Sequence, residues 1–95
     1  MPTIYKITFP NGKIYVGSDT TDDVFYFGTP SDASKASMAA DYPPEKRLSF
    51  AVTKDVLWQG LASRSDLVRR EHPLIVALRA NDPSAGYNLT PRWRG

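Results

Sequence analysis

Hydrophobic and polar positions alternate through Ile4-Tyr5-Lys6-Ile7-Thr8-Phe9 and again through Lys13-Ile14-Tyr15-Val16-Gly17, with Pro10-Asn11-Gly12 between them. Two runs rich in β-branched and aromatic residues joined through Asn-Gly predict a β-hairpin. Period-two alternation puts Tyr5, Ile7 and Phe9 on one face of the first strand, and Lys13, Tyr15 and Gly17 on one face of the second. Depending on register, the two phenols project from neighbouring strands on the same face.

The pattern changes after the hairpin. Ser18 to Asp23 is polar and acidic, a loop by composition, and Val24-Phe25-Tyr26-Phe27-Gly28 is an apolar run too short for periodicity to separate a strand from an aromatic loop that plugs the core. Ser31 to Ala40 predicts a short helix with Ser31 as its cap and Asp32 in its first turn, stopped by Asp41-Tyr42-Pro43-Pro44. Leu48, Phe50 and Val52 alternate, and residues 48–58, continuing through Asp55-Val56-Leu57-Trp58 past a bulge or as a second edge, are expected to complete a three-stranded antiparallel sheet with the hairpin. Ser63 and Asp66 resemble a capping box, and Leu67, Leu74, Ile75 and Leu78 form an apolar stripe at helical spacing, so a second helix follows. Pro73 is expected to kink that helix or start it anew, and Asn81-Asp82-Pro83 to end it. The fold class is therefore α/β: one small domain over residues 1–95, a three-stranded antiparallel sheet flanked by helices.

Composition narrows the chemistry. The 95 residues contain no cysteine and one histidine, His72, which removes disulfides, thiolate metal sites and an all-protein zinc cluster. No apolar run approaches membrane-spanning length and no signal-peptide pattern opens the chain, so an intracellular (cytoplasmic) protein without a membrane role is expected. The net charge of +2 hides a split, because the nine Lys and Arg beyond residue 45 stand against three before it. A basic second half is compatible with a face that meets nucleic acid.

Glu71 interrupts the apolar stripe four residues after Leu67 and four before Ile75, which places a carboxylate at the core edge. Burial there requires a hydrogen bond, a basic neighbour or a bound cation. His72 points about 100° away around the helix and is expected at the surface or behind the site. Tyr87 and Trp58 read as packing residues, Asn88 as a loop-fixing amide near the helix of Glu71, and Arg92-Trp93-Arg94 as a basic aromatic tail.

Thr3-Ile4-Tyr5 and Tyr15-Val16-Gly17, with Gly12-Lys13 between them, resemble the opening hairpin of the GIY-YIG nucleases. Glu71 ahead of Leu74-Ile75, and the closing Gly86-Tyr87-Asn88, resemble that family's metal-binding helix and its Gly-Tyr-Asn segment, so the likeness spans residues 3 to 90. The resemblance is to a small, divergent member of phage or mobile-element type. It implies a metal-dependent DNA endonuclease, a hydrolase that cuts a backbone phosphodiester with Mg²⁺ or Mn²⁺ held by Glu71. Tyr5 would act as base or water-orienter, Tyr15 would support it, and Lys13 would face the same side. Tyr5, Tyr15 and Glu71 are then expected to border one open concavity.

The chain departs from the family at the arginine expected about ten residues beyond the second tyrosine. That position falls at Phe25-Tyr26, and no Lys or Arg occurs from residue 14 through 34. Lys54 and Lys35 are the candidates to hold the phosphate in its place, with Arg47 behind them. DNA would be contacted mainly through backbone phosphates, and a homodimer or partner protein would supply specificity. The alternative is a catalytically silent relative that binds nucleic acid or serves as an accessory protein.

Overall fold

The computed structural model describes residues 1–21, 23, 25–28 and 30–95. The elements are β1 (Thr3–Thr8), β2 (Ile14–Asp19), α1 (Asp32–Asp41), a 3₁₀ turn at Pro44–Lys46, β3 (Thr53–Gln59) and α2 (Arg64–Ala77). The three strands form one sheet in the order β2-β1-β3, with β1 antiparallel to both neighbours. The fold is a small α/β domain in which two helices flank this sheet.

The hairpin forms as its alternation requires. Gly12 takes φ of 86°, which a side chain would oppose, and donates its N–H to the Phe9 carbonyl to close the turn. Register pairs Tyr5 with Gly17 and Ile7 with Tyr15, so the two phenols share a face. Ile4 and Val16 point to the other face, where they join Leu67, Ile75 and Ala80 in the buried core, with Ile14, Trp58 and Leu74 packed around them. That face is covered by α2. Ser63 caps it by accepting from the Asp66 N–H while the Asp66 carboxylate accepts from the Ser63 N–H. The helix runs through Pro73 without a break in its assignment; Pro73 removes the backbone bond to Arg69 on an exposed face, where water can replace it.

α1 starts on its Ser31 cap as its sequence implies. The third strand is shorter than expected. It begins at Thr53, because β1 ends at Thr8 and Pro10 lies in the turn beyond, leaving no partner for residues 48–52. Ser49 instead takes φ of 63°, and Phe50 leaves the extended path to pack its ring 4.7 Å from Tyr42 and 6.2 Å from Phe9. The bulge does occur. Tyr5 pairs with Val56 but Ile4 pairs with Trp58, so Leu57 is the extra residue. Lys54 and Val56 thereby lie on the Tyr5 face, while Trp58 lies on the core face.

Of the apolar run at 24–28, Val24 lies outside the described residues. Phe25 is 82 % exposed, whereas the Tyr26 ring meets Tyr5 edge-on at 6.0 Å, so the segment covers the Tyr5 face through Tyr26 and Gly28. No helix among the described residues is long and apolar enough to cross a membrane.

Candidate functional site

The hairpin brings the two tyrosines together over Gly17. A Cβ on Gly17 would collide with the Tyr5 hydroxyl and come within 3.1 Å of the Tyr15 ring, so glycine is what lets both phenols lie there. Gly28, at φ of 102°, closes over the same hydroxyl from the other side. Tyr5 is consequently 1 % exposed and does not border open space, while Tyr15 is half-buried. Burial pushes the Tyr5 phenol pKa far up, and Tyr15, Tyr26, Glu71 and Asp19 reinforce the shift. Tyr15 moves in the same direction, from burial first and then from the Glu71 charge. Neither phenol is a base at neutral pH; both remain hydrogen-bond donors.

Glu71 stands on α2, the helix that covers the face opposite the two phenols, and meets the outer strand at Ser18, so the three expected site residues do not border one concavity. Ser18 lies beside its carboxylate, and its charge acts on both phenols. The carboxylate is half-buried. Burial raises its pKa, and the Ser18 hydroxyl and the exposed His72 offset this only in part. A carboxylate whose burial is only partly compensated suits a hard cation with oxygen preferences. Among the described residues no three His, Cys, Asp or Glu are grouped for a metal. A divalent ion would thus find one protein carboxylate and complete its shell with water or phosphate oxygens.

The basic candidates separate clearly. Lys54 is at the site: its amine lies 5.0 Å from the Tyr5 ring centroid. Its Nζ donates to the Tyr26 carbonyl at 2.6 Å and to the Asp23 carbonyl at 3.4 Å, which ties it to the covering segment. Lys13 is ion-paired with Asp41 at 3.0 Å and lies 5.3 Å from the Tyr87 ring centroid. Lys35 is exposed on α1, and Arg47 donates through Nε to the Tyr42 carbonyl.

The group that sequence reasoning missed is Arg64. It lines a cavity of about 260 Å³ together with Ser18, Asp19, Tyr26 and Val68. Ser18 flanks Glu71 and Tyr26 packs on Tyr5, so this cavity adjoins the tyrosine–glutamate group. Arg64 has no ion-pair or hydrogen-bond partner among the described residues. Its signal was in the spacing, since a residue seven before Glu71 is two turns back on the same helix face. Asp19, on the same wall, is desolvated, yet Thr21 donates to it from both hydroxyl and backbone and holds its pKa below the usual value.

Asn88 departs from its expected place. It fixes β2 rather than α2: Val16 N–H donates to its Oδ1 and its Nδ2 donates to the Val16 carbonyl, both at 2.8 Å. Tyr87 is buried, as a packing residue should be, and its hydroxyl donates to Asp41 at 2.6 Å. Trp58 packs against the core and carries the Arg70 guanidinium 4.4 Å from its ring centroid. No protein-family model, curated protein or solved structure matches this chain.

Proposed function

We propose that this chain is a metal-dependent DNA endonuclease of GIY-YIG type that hydrolyses a backbone phosphodiester. The observation that supports the reading is the half-buried Glu71 carboxylate, whose charge acts on both Tyr5 and Tyr15 from the helix over the other face of the sheet. Glu71 would hold Mg²⁺ or Mn²⁺, which when bound supplies Lewis-acid stabilisation of charge on the phosphate oxygens. Arg64 takes the role of the missing arginine and holds the scissile phosphate in the cavity beside Ser18. Tyr15, keeping its proton, would accept a hydrogen bond from the attacking water through its hydroxyl oxygen; as the new P–O bond forms and the bond to the leaving oxygen breaks, the water's proton would pass to solvent and the leaving oxygen would take one from solvent. Tyr5 fixes the Tyr15 ring over Gly17 and takes no proton itself. Lys54 positions the segment that shuts water away from Tyr5. One such site cuts one strand, so cleavage of both strands calls for a homodimer or a partner protein.

A second reading is a silent relative that binds nucleic acid, or another protein, without cutting. The enclosure of the Tyr5 hydroxyl beneath Gly28 favours it. Nicking of supercoiled DNA separates the two. Wild type should nick with Mg²⁺ or Mn²⁺ and not after chelation. Glu71→Gln should be nearly inactive, and Arg64→Ala should be slower by about 100-fold, the loss typical of one transition-state charge contact. Retained DNA binding with no nicking by wild type in either metal would establish the silent reading.

A further inference from the structure

The C-terminal segment encloses a second cavity that the proposed chemistry does not use. It measures about 510 Å³, within the range of small-molecule sites, and lies between α1 and residues 81–93. Ala40, Pro83 and Leu89 give it aliphatic walls, and the half-buried Trp93 adds an aromatic surface.

Its polar groups are few and unevenly satisfied. Asp41 is neutralised within the fold by Lys13 at 3.0 Å and also accepts from Tyr87. Arg92 has no ion-pair or hydrogen-bond partner among the described residues, which leaves the cavity one uncompensated positive charge. Asn81 is 7 % exposed. Its Nδ2 donates to the Pro91 carbonyl at 2.8 Å, which fixes the amide orientation, while Oδ1 is buried with no partner among the described residues. Asn81, Arg92 and Trp93 also line an adjoining cavity of about 430 Å³ that includes His72 and Arg94, so a longer ligand could continue past Trp93.

The ligand that answers these groups is flat and carries an anion. We infer that this cavity binds a nucleotide, either free or at the end of a single strand. The base stacks on Trp93 and its phosphate pairs with Arg92. The assignment does not depend on Tyr5, Tyr15 or Glu71, and its readout is affinity rather than strand cutting.

Isothermal titration of the full chain with 5′-AMP, adenosine, inorganic phosphate and a short oligoadenylate tests it. AMP should bind, adenosine and phosphate should each bind at least tenfold more weakly, and the oligoadenylate should equal or exceed AMP if a strand end is the natural ligand. Trp93→Ala should weaken AMP by tenfold or more, and Trp93→Phe should restore most of the affinity. Arg92→Ala should weaken AMP while leaving adenosine unchanged, and thermal melts of each variant check that the fold is retained. Phosphate binding as tightly as AMP would reduce the site to an anion pocket. Failure of AMP and the oligonucleotide to bind, or unaltered AMP affinity in folded Trp93→Ala and Arg92→Ala, would overturn the inference.

Discussion

Where α2 meets the sheet, Ile4, Val16, Leu67 and Ile75 are held by apolar contact, whereas the outer edge of β2 is closed by directed polar groups. At that edge Asn88 replaces a missing strand for Val16, the Ile14 N–H donates to Ala85, and the Tyr87 N–H donates to Ile14. Farther out, Asp41 gathers Lys13 and the Tyr87 hydroxyl, and the Ser34 hydroxyl donates to the Tyr87 carbonyl. The apolar contact is non-directional and supplies stability; the polar seam is directional and fixes where the C-terminal segment lies. The two candidate sites divide along the same line. Glu71 stands at the margin of the apolar contact, and the nucleotide cavity lies behind the seam.

Substitutions on the two sides should separate these roles. Leu67→Ala removes a fully buried side chain from the core and should lower stability by about 3 kcal/mol in urea denaturation. Asn88→Ala leaves the Val16 N–H and carbonyl without partners in a buried place, and should lower it by about 2 kcal/mol. Amide exchange should then differ: faster across the whole sheet in Leu67→Ala, and faster at Val16 beyond the global change in Asn88→Ala. Uniform exchange in both variants would erase the distinction drawn here.

Acid should probe the seam through Asp41. The Tyr87 hydroxyl and then Lys13 hold the Asp41 carboxyl below its ordinary value of 3.8. A depressed folded pKa means that the contribution is intact above 3.8 and is lost as pH falls below it, so Asp41→Asn should flatten that part of the stability profile. Glu71 has the opposite sign. Burial raises its pKa, so its charged form weakens the fold and stability should rise as pH falls through the raised value toward the ordinary 4.5. Glu71→Gln should therefore melt at or slightly above the wild-type temperature at neutral pH without added metal, a small effect that a clear loss of stability would refute.

Much of this architecture was legible in the chain because local signals agreed with one another. The Asn-Gly turn with its flanking alternation gave the hairpin, and Ser63, Asp66 and the leucine stripe gave α2. The start of β3 was not legible, since Leu48, Phe50 and Val52 carry a strand pattern but a strand also needs a partner, and β1 has ended. The shared face of Tyr5 and Tyr15 followed from the hairpin's alternation, whereas the place of Glu71 over the other face did not, because an apolar stripe fixes which side of a helix meets the sheet but not which side of the sheet it meets. The burial of Tyr5 did not, because it comes from Gly28 and Tyr26, in a segment whose period was too short to read. Arg64 was accessible from spacing alone. The orphaned acceptor of Asn81 was beyond sequence, as it depends on which carbonyl the other half of the amide meets.

The extra residue at Leu57 has a consequence for how this chain can change. Lys54 and Trp58 have the same parity along β3 yet serve opposite faces, because the strand shifts register between them. Deleting one residue there would restore strict alternation and force a choice: Trp58 turns out of the core, or Lys54 leaves Tyr5. Point substitutions carry no such linkage. The half of β3 beneath the covering segment can diversify while the half beneath α2 stays constant, so lineages descended from such a chain would tolerate exchange of residues 53–56 far more readily than any insertion or deletion between 54 and 58.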